Sequence, residues 1–503
     1  MAHPKVIVIG SGFSGLSAAT CLADRGYEVT VLEKNSTPGG RARSFTEAGY
    51  TFDMGPSWYW MPDVFESYFR RFGKSTADYY TLQRLDPSYT IAFGEEDFMP
   101  VPASLDEMRA LFESMEPGSA RQLDKFLAQA AYKYEVGINQ LVYKPGRSVT
   151  EFMSPRLLLD VLRLDVFQSF HKHIRRFFKN EKIIKLMEFP ILFLGALPQN
   201  TPALYSLMNY ADIKMGTWYP MGGMYKIVEG MVQLAEEKGV QFFYNQEVKQ
   251  IEVQEGTARN VVTATGTFAA DVVVASADYH HVEKDLLTGE YKSYSDAYWE
   301  KRVMAPSSLI FYLGVNKRLQ NLQHHTLFFD EDFGPHAHEI YTDPKWPAKP
   351  LFYVCAPSVT DPSVAPPGCE NLFILIPVAP GLEDTEATRE HYYNLVMDRL
   401  ERLTRQEVRS AVVYKRSYAH RDFMGDYHAF KGNAYGLANT LLQTALLKPG
   451  LKSKKVSNLF YAGQLTVPGP GVPPSLISGQ VVAREIEKEY AAPVSVNVEL
   501  SNP

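Results

Sequence analysis

Six residues near the N-terminus, Gly10-Ser11-Gly12-Phe13-Ser14-Gly15, have the types and spacing to hold a diphosphate. In such a Gly-x-Gly-x-x-Gly, the first glycine allows a tight turn and the second lets backbone approach the pyrophosphate. The third, Gly15, lets helix and strand pack closely. Further on, Glu33 can accept hydrogen bonds from ribose hydroxyls. The elements that must position these residues are legible around them. Lys5 to Ile9 reads as a short buried strand, Leu16 to Arg25 as a helix and Glu28 to Leu32 as a second strand closing on Glu33. The diphosphate would then rest on the N–H groups at the start of the helix.

Beyond Glu33 the chain runs Lys34-Asn35-Ser36-Thr37-Pro38-Gly39-Gly40-Arg41-Ala42-Arg43, and then Asp53-Met54-Gly55-Pro56-Ser57. This stretch resembles the extended fingerprint of FAD oxidoreductases of the glutathione-reductase type, in their amine-oxidase branch. The resemblance implies non-covalent FAD, with Gly39 and Gly40 laying backbone against the cofactor and Arg41 reaching phosphate. It also implies that Val248, just after the Tyr244-Asn245-Gln246-Glu247 turn, presents backbone to the adenine. At the far end, Asn458-Leu459-Phe460-Tyr461-Ala462-Gly463 is another strand ending in glycine. A Pro/Gly-rich segment follows, from Gln464 through Val472 to Gly479. In that family the returning strand closes the FAD site, so Gly463, Gln464 and Val472 join Gly55 and Pro56 as expected flavin neighbours.

Length and composition fit a large enzyme that handles apolar material. The 503 residues allow about three domains. Tyr (30) and Phe (29) are abundant enough to line an apolar cavity as well as a core. The formal charge of −6 supplies no basic field to recruit nucleic acid. Cys21, Cys355 and Cys369 form no Cys-x-x-Cys pair, so neither a zinc motif nor a disulfide framework is expected. No secretory leader or spanning segment is expected, and Phe189 to Pro198 is too short to cross a bilayer.

The expected fold class is α/β: a Rossmann-like FAD domain, an interleaved mixed-sheet substrate domain and a helical insert. The cofactor domain is assembled from 1–75, 218–290 and 452–490. Segments 76–103 and 295–450 supply the second sheet, 104–217 is predominantly helical and 491–503 is a flexible tail. Within this plan Met224 to Lys238 reads as a helix, Val240 to Tyr244 as a strand and Asp271 to Ala277 as a buried parallel strand. From Asp165 to Leu186 the pattern predicts one basic amphipathic helix. Lys172, Arg175, Arg176, Lys179 and Lys182 fall on one side, with Phe170, Ile174, Phe177 and Phe178 roughly opposite. Such a helix is suited to an anionic membrane surface, or to packing with its basic face solvated.

His280-His281, His324-His325 and His336-x-His338 look like ligand pairs, yet no acid accompanies them at metal spacing. They are read as solvated or capping, and no metal is expected. No Gly-x-Ser-x-Gly elbow occurs. No second Gly-x-Gly-x-x-Gly occurs either, so electrons are expected to enter from the substrate and leave to a quinone, oxygen or a similar acceptor.

Over nearly its whole length the chain closely resembles the bacterial-type phytoene desaturases. Family-like segments are Asn458 to Gly479, Gly216 to Gly223, His324-His325-Thr326, Pro357 to Ser363 and Arg421-Asp422-Phe423. Many members read Gly-Ala-Gly-Thr-His-Pro-Gly where this chain has Gly463-Gln464-Leu465-Thr466-Val467-Pro468-Gly469. The resemblance implies desaturation of phytoene, an apolar C40 polyene, toward lycopene or a partly desaturated intermediate. Hydride would pass from an allylic CH2–CH2 unit to flavin, and proton loss would complete the alkene. The cofactor carries the difficult step, so no catalytic base is named. A peripheral site on the inner face of the cell membrane follows from the lipid-dissolved substrate. Other readings are a different carotenoid desaturase, an isomerase, a ketolase, an amine oxidase, or a flavin-free lipid-binding escort protein.

Overall fold

The computed structural model describes residues 3–148, 151, 164–165, 168–192, 197–440 and 443–490. Its central sheet is parallel, in the order Leu459–Tyr461, Val272–Ala275, Lys5–Ile9, Glu28–Leu32, Gln241–Phe243. Four of these strands are almost wholly apolar inside, as a sheet covered on both faces requires. The chain returns to this sheet from three distant segments, which is why strands so far apart in sequence are neighbours.

The Phe13–Asp24 helix lies against the sheet and the C-terminal Val472–Glu489 helix lies against it in turn. Both contacts need missing side chains. A Cβ on Gly15 would stand 2.1 Å from the Gly10 carbonyl oxygen, and one on Gly479 would stand 2.3 Å from that of Ser14.

A second, seven-stranded sheet runs Val412–Tyr418, Ser307–Val315, Glu370–Val378, Phe352–Cys355, His325–Phe328, Tyr89–Gly94, Asp97–Val101. It is antiparallel except where His325–Phe328 runs parallel to Tyr89–Gly94. Its Ser307–Val315 strand is buried along its entire length. One face carries a separate apolar core with the Glu386–Thr404 helix, including Leu309, Phe311, Tyr393, Val396 and Leu400. The other face turns toward the five-stranded sheet and closes the cavity described below.

The expected single helix from Asp165 to Leu186 is not formed. A short helix, Phe170–Ile174, ends in a turn, and a new helix runs Glu181–Leu192. Glu116, at the end of the distant Leu105–Met115 helix, accepts from the N–H groups of Lys179 (2.9 Å) and Asn180 (2.8 Å). Asn180 then caps the second helix, its Oδ1 accepting from Lys182 N at 2.9 Å. The apolar side faces inward: Phe170, Ile174, Phe178 and Ile184 are buried. Arg175 pairs with Glu181 at 2.8 Å and Lys182 with Asp97 at 2.6 Å. Among the described residues the pattern is therefore mainly a packing face with a solvated basic side, with Phe177 left half-buried.

Part of the helical insert, part of the Phe189 to Pro198 run and the 491–503 tail lie outside the described residues. No helix among the described residues is long and apolar enough to cross a membrane.

Candidate functional site

A cavity of about 460 Å³ runs from the N-terminal glycine turn to the inner face of the seven-stranded sheet. That size falls in the range of small-molecule and cofactor sites. At one end Gly10, Ser11, Gly12, Phe13 and Ser14 line it, with Glu33, Lys34, Gly39, Gly40 and Arg41 beside them. Gly55, Pro56, Val248, Gly463, Gln464 and Val472 also reach its wall. Gly15 does not. It lies under the turn, where its role is the close approach to Gly10 already described.

The turn is shaped to accept an anion. Gly12 is the N-cap of the Phe13–Asp24 helix, makes no side-chain cap, and is followed by no acid in the first turn. A Cβ on Gly12 would meet nothing within 4 Å. This open space in front of free helical N–H groups is what a diphosphate needs. Gly40 reaches the same point with φ +56°, and a Cβ there would stand 3.3 Å from Gly12 Cα.

Glu33 is buried at the end of its strand and is held from two sides. Its Oε2 accepts from Ser11 N at 2.9 Å and Ser11 Oγ at 2.6 Å, while Oε1 accepts from Asn35 N at 2.9 Å. The carboxylate thus ties the glycine turn to the second strand and still faces the cavity. Lys34, which also lines the cavity, donates to the Gly425 carbonyl.

Arg41 is half-buried in the wall, and desolvation lowers its pKa from the ordinary guanidinium range, against the opposing pull of Asp278. Its Nη2 donates to the Asn433 carbonyl at 3.4 Å, and the Gln464 amide stands 3.0 Å from the same nitrogen. Its Nε is buried with no partner. A half-buried cation with a buried, unused donor beside an open helix N-terminus fits a diphosphate cofactor.

The far half of the cavity is apolar and aromatic. Trp58, Trp60, Phe65, Phe189, Phe329 and Tyr353 line it. The Trp58 and Phe189 rings lie 5.7 Å apart, and Tyr89 packs behind them at 5.4 and 5.1 Å. Behind this wall Tyr89 donates to Asp212 Oδ2 at 2.7 Å, and burial pushes the Asp212 carboxyl up to about 7.

Along residues 13–487 the sequence matches the flavin-containing amine oxidoreductase family. It is 41% identical to a carotenoid 3,4-desaturase of Haloarcula japonica over 97% of this chain and 98% of that protein. The chain belongs to that family, among its carotenoid desaturases. A ζ-carotene-forming phytoene desaturase of Myxococcus xanthus is 32% identical, covering 96% of this chain and 93% of its own. A 4,4'-diapophytoene desaturase of Staphylococcus haemolyticus is also 32% identical, over 95% and 97%. Among solved structures, an oxidoreductase from Methanosarcina mazei shares the fold at TM-score 0.61 and 17% identity, covering 95% of this chain and all of that one. A fatty acid isomerase from P. acnes does so at TM-score 0.61 and 14% identity, over 97% and 99%. The protein is an FAD-dependent oxidoreductase acting on CH–CH bonds.

Four of the histidines depart from the sequence reading. His281, His324, His325 and His336 are buried, neither solvated nor capping. His336 is structural: Nε2 donates to the Pro377 carbonyl at 2.8 Å, and Nδ1 accepts from Leu351 N at 3.0 Å. His338 is exposed, as expected. The sequence reading also passed over Trp58, Trp60 and Phe189, which wall the cavity. Aromatics are frequent throughout this chain, so composition gave no way to select them.

Proposed function

We propose that this desaturase acts on a C40 carotenoid that already carries conjugated double bonds, and forms its new double bond at the 3,4 position. The observation that carries this reading is the 41% identity over 97% of the chain to a carotenoid 3,4-desaturase, against 32% for relatives that take phytoene or diapophytoene. Conversion of phytoene toward lycopene is the second reading. It is favoured by full-length likeness to a ζ-carotene-forming phytoene desaturase.

In either case the residues that line the phosphate end would hold FAD. Gly12 and the helix start take the diphosphate, Glu33 the ribose hydroxyls, Arg41 a phosphate oxygen, and Val248 the adenine edge. Gly463, Gln464 and Val472 lie toward the flavin end. This cofactor domain is drawn from 1–75, 218–290 and 452–490. When bound, FAD accepts hydride from the substrate. The protein's own work is to align a polyene along Trp58, Trp60 and Phe189 and to keep water away from the cation that hydride loss leaves. That cation is delocalised over the polyene, so a dry aromatic wall suits it better than a polar one. Electrons then pass to a quinone or to oxygen. The substrate dissolves in lipid, so the enzyme meets it by docking at a membrane surface.

Expression in two cell lines separates the readings, one accumulating phytoene and the other lycopene. The first reading expects phytoene to stay colourless, and lycopene to lose two mass units with a red-shifted spectrum. The second expects phytoene cells to colour. Soluble, FAD-loaded protein that changes neither carotenoid would overturn both.

A further inference from the structure

The sheet that walls the cavity carries a second group of chemistry-bearing side chains, unused by the reading above. His324, His325 and Cys355 are all buried, and a ligand atom of each lies within 4.8 Å of the others. Strand register builds the group. His325 pairs directly with Cys355 across the antiparallel strands, which puts both side chains on one face. His324 enters from the preceding residue with its ring centroid 4.5 Å from that of His325.

Each imidazole is fixed through the same nitrogen. His324 Nδ1 lies 2.8 Å from Thr360 Oγ1, and His325 Nδ1 lies 2.6 Å from the Tyr353 hydroxyl. Tyr353 donates onward to Ser57 Oγ at 3.0 Å, so His325 Nδ1–H is the donor in its own bond. Trp58 stacks on His325 at 4.1 Å and 11°, which fixes the ring plane. The Nε2 atoms of both rings are buried with no partner. An unpaired buried acceptor costs roughly 1–3 kcal/mol, and this cluster holds two of them beside a thiol. An imidazole tied at Nδ1 and bare at Nε2 is the arrangement of a metal-bound histidine with its supporting hydrogen bond.

We propose that His324, His325 and Cys355 bind a zinc ion in the sheet behind the substrate cavity. Imidazole and thiolate donors suit zinc and exclude magnesium or calcium. Burial holds both rings in the neutral, ligating form: His324 is pushed down to about 3 and His325 lies well below the ordinary histidine range. The same burial pushes the Cys355 thiol up to about 12, so without metal it keeps its proton. Zinc replaces that proton outright, releasing it on binding. Beside Cys355 is a cavity of about 20 Å³ that Asp53, Ser57 and Tyr219 also line. It has room for one water beside Cys355. Zinc with one thiolate keeps a single positive charge, and the Asp53 carboxylate across that cavity offsets it. Zinc has no redox change to offer, so its effect is mechanical: it pins the approach to one strand onto its neighbour, next to the Trp58 and Tyr353 side chains that face the substrate.

The test uses full-length, FAD-loaded protein from zinc-supplemented cells, dialysed without chelator. Elemental analysis should find close to one zinc per chain. Zinc-edge X-ray absorption should show two nitrogens at about 2.0 Å and one sulfur at about 2.3 Å. Cys355→Ser and His324→Asn should each lower zinc affinity at least about tenfold in chelator competition, with Cys369→Ser unchanged and FAD content as the folding check. Wild-type protein with no zinc above buffer level, a shell without sulfur, another metal at these ligands, or zinc undiminished in folded Cys355→Ser would each overturn the proposal. The wild-type spectrum decides even where a variant fails to fold.

Discussion

Gly479, 24 residues from the C-terminus, faces the carbonyl of Ser14 in the first helix, and a Cβ there would stand 2.3 Å from that oxygen. The contact clamps the Val472–Glu489 helix across the helix that starts at the glycine turn. Ser17 completes it by donating to the Leu476 carbonyl at 2.8 Å.

Gly479→Val should therefore loosen the whole nucleotide fold. Forced overpacking at a backbone contact costs about 1–3 kcal/mol. Thermal denaturation of the variant should show a lower midpoint and FAD should be lost early. A midpoint equal to wild type would mean that the two helices can part freely.

Gly12 and Gly15 should fail in different ways. Gly12 has open space before it, so Gly12→Val should fold with an unchanged flavin-free melting temperature yet retain little FAD. Gly15→Val meets the Gly10 carbonyl at 2.1 Å and should lower the flavin-free melting temperature itself. Comparing flavin absorbance with melting of flavin-free protein tells them apart; Gly12→Val with normal FAD content would displace the diphosphate from this turn.

Glu33→Ala should hurt both stability and cofactor retention. The buried Ser11 N–H would lose its acceptor, at about 1–3 kcal/mol, and the half-buried Asn35 N–H would lose one that water can partly replace. Urea midpoints and FAD affinity report the two effects separately. An FAD affinity equal to wild type in the folded variant would take the ribose away from Glu33.

Asp212 should make stability depend on pH. Burial raises its folded-state pKa to about 7, opposed by hydrogen bonds from Tyr89 and Thr217. The folded state therefore binds the proton more tightly than the unfolded chain. This contribution is full below about pH 4 and is lost as pH rises toward 7. Asp212→Asn removes the titration, so its urea midpoint relative to wild type should climb across that window, by up to a few kcal/mol. A constant difference between the two proteins from pH 4 to 7 would show that Asp212 stays ionised.

The dinucleotide turn was legible because it is local. The strand Lys5–Ile9, the glycines, the helix and Glu33 lie within one βαβ unit, where each residue's role depends on neighbours a few positions away. Buried strands elsewhere carry long apolar runs, as in Ser307–Val315 and Glu370–Val378, because burial on both faces demands them. The helix from Asp165 to Leu186 was misread because its break is imposed from outside, by Glu116 taking two backbone N–H groups.

What the sequence determined by itself was the cofactor turn and the family, since both rest on spacing that backbone geometry fixes locally. Tertiary structure alone decided which aromatics wall the substrate cavity and that His325 faces Cys355. Those meetings depend on strand register and sheet order across tens to hundreds of residues. A histidine pair reads the same in a solvated loop as in a sheet interior. Only the packing around His324 and His325, which removes water from both rings, gives them a chemistry that their spacing could not announce.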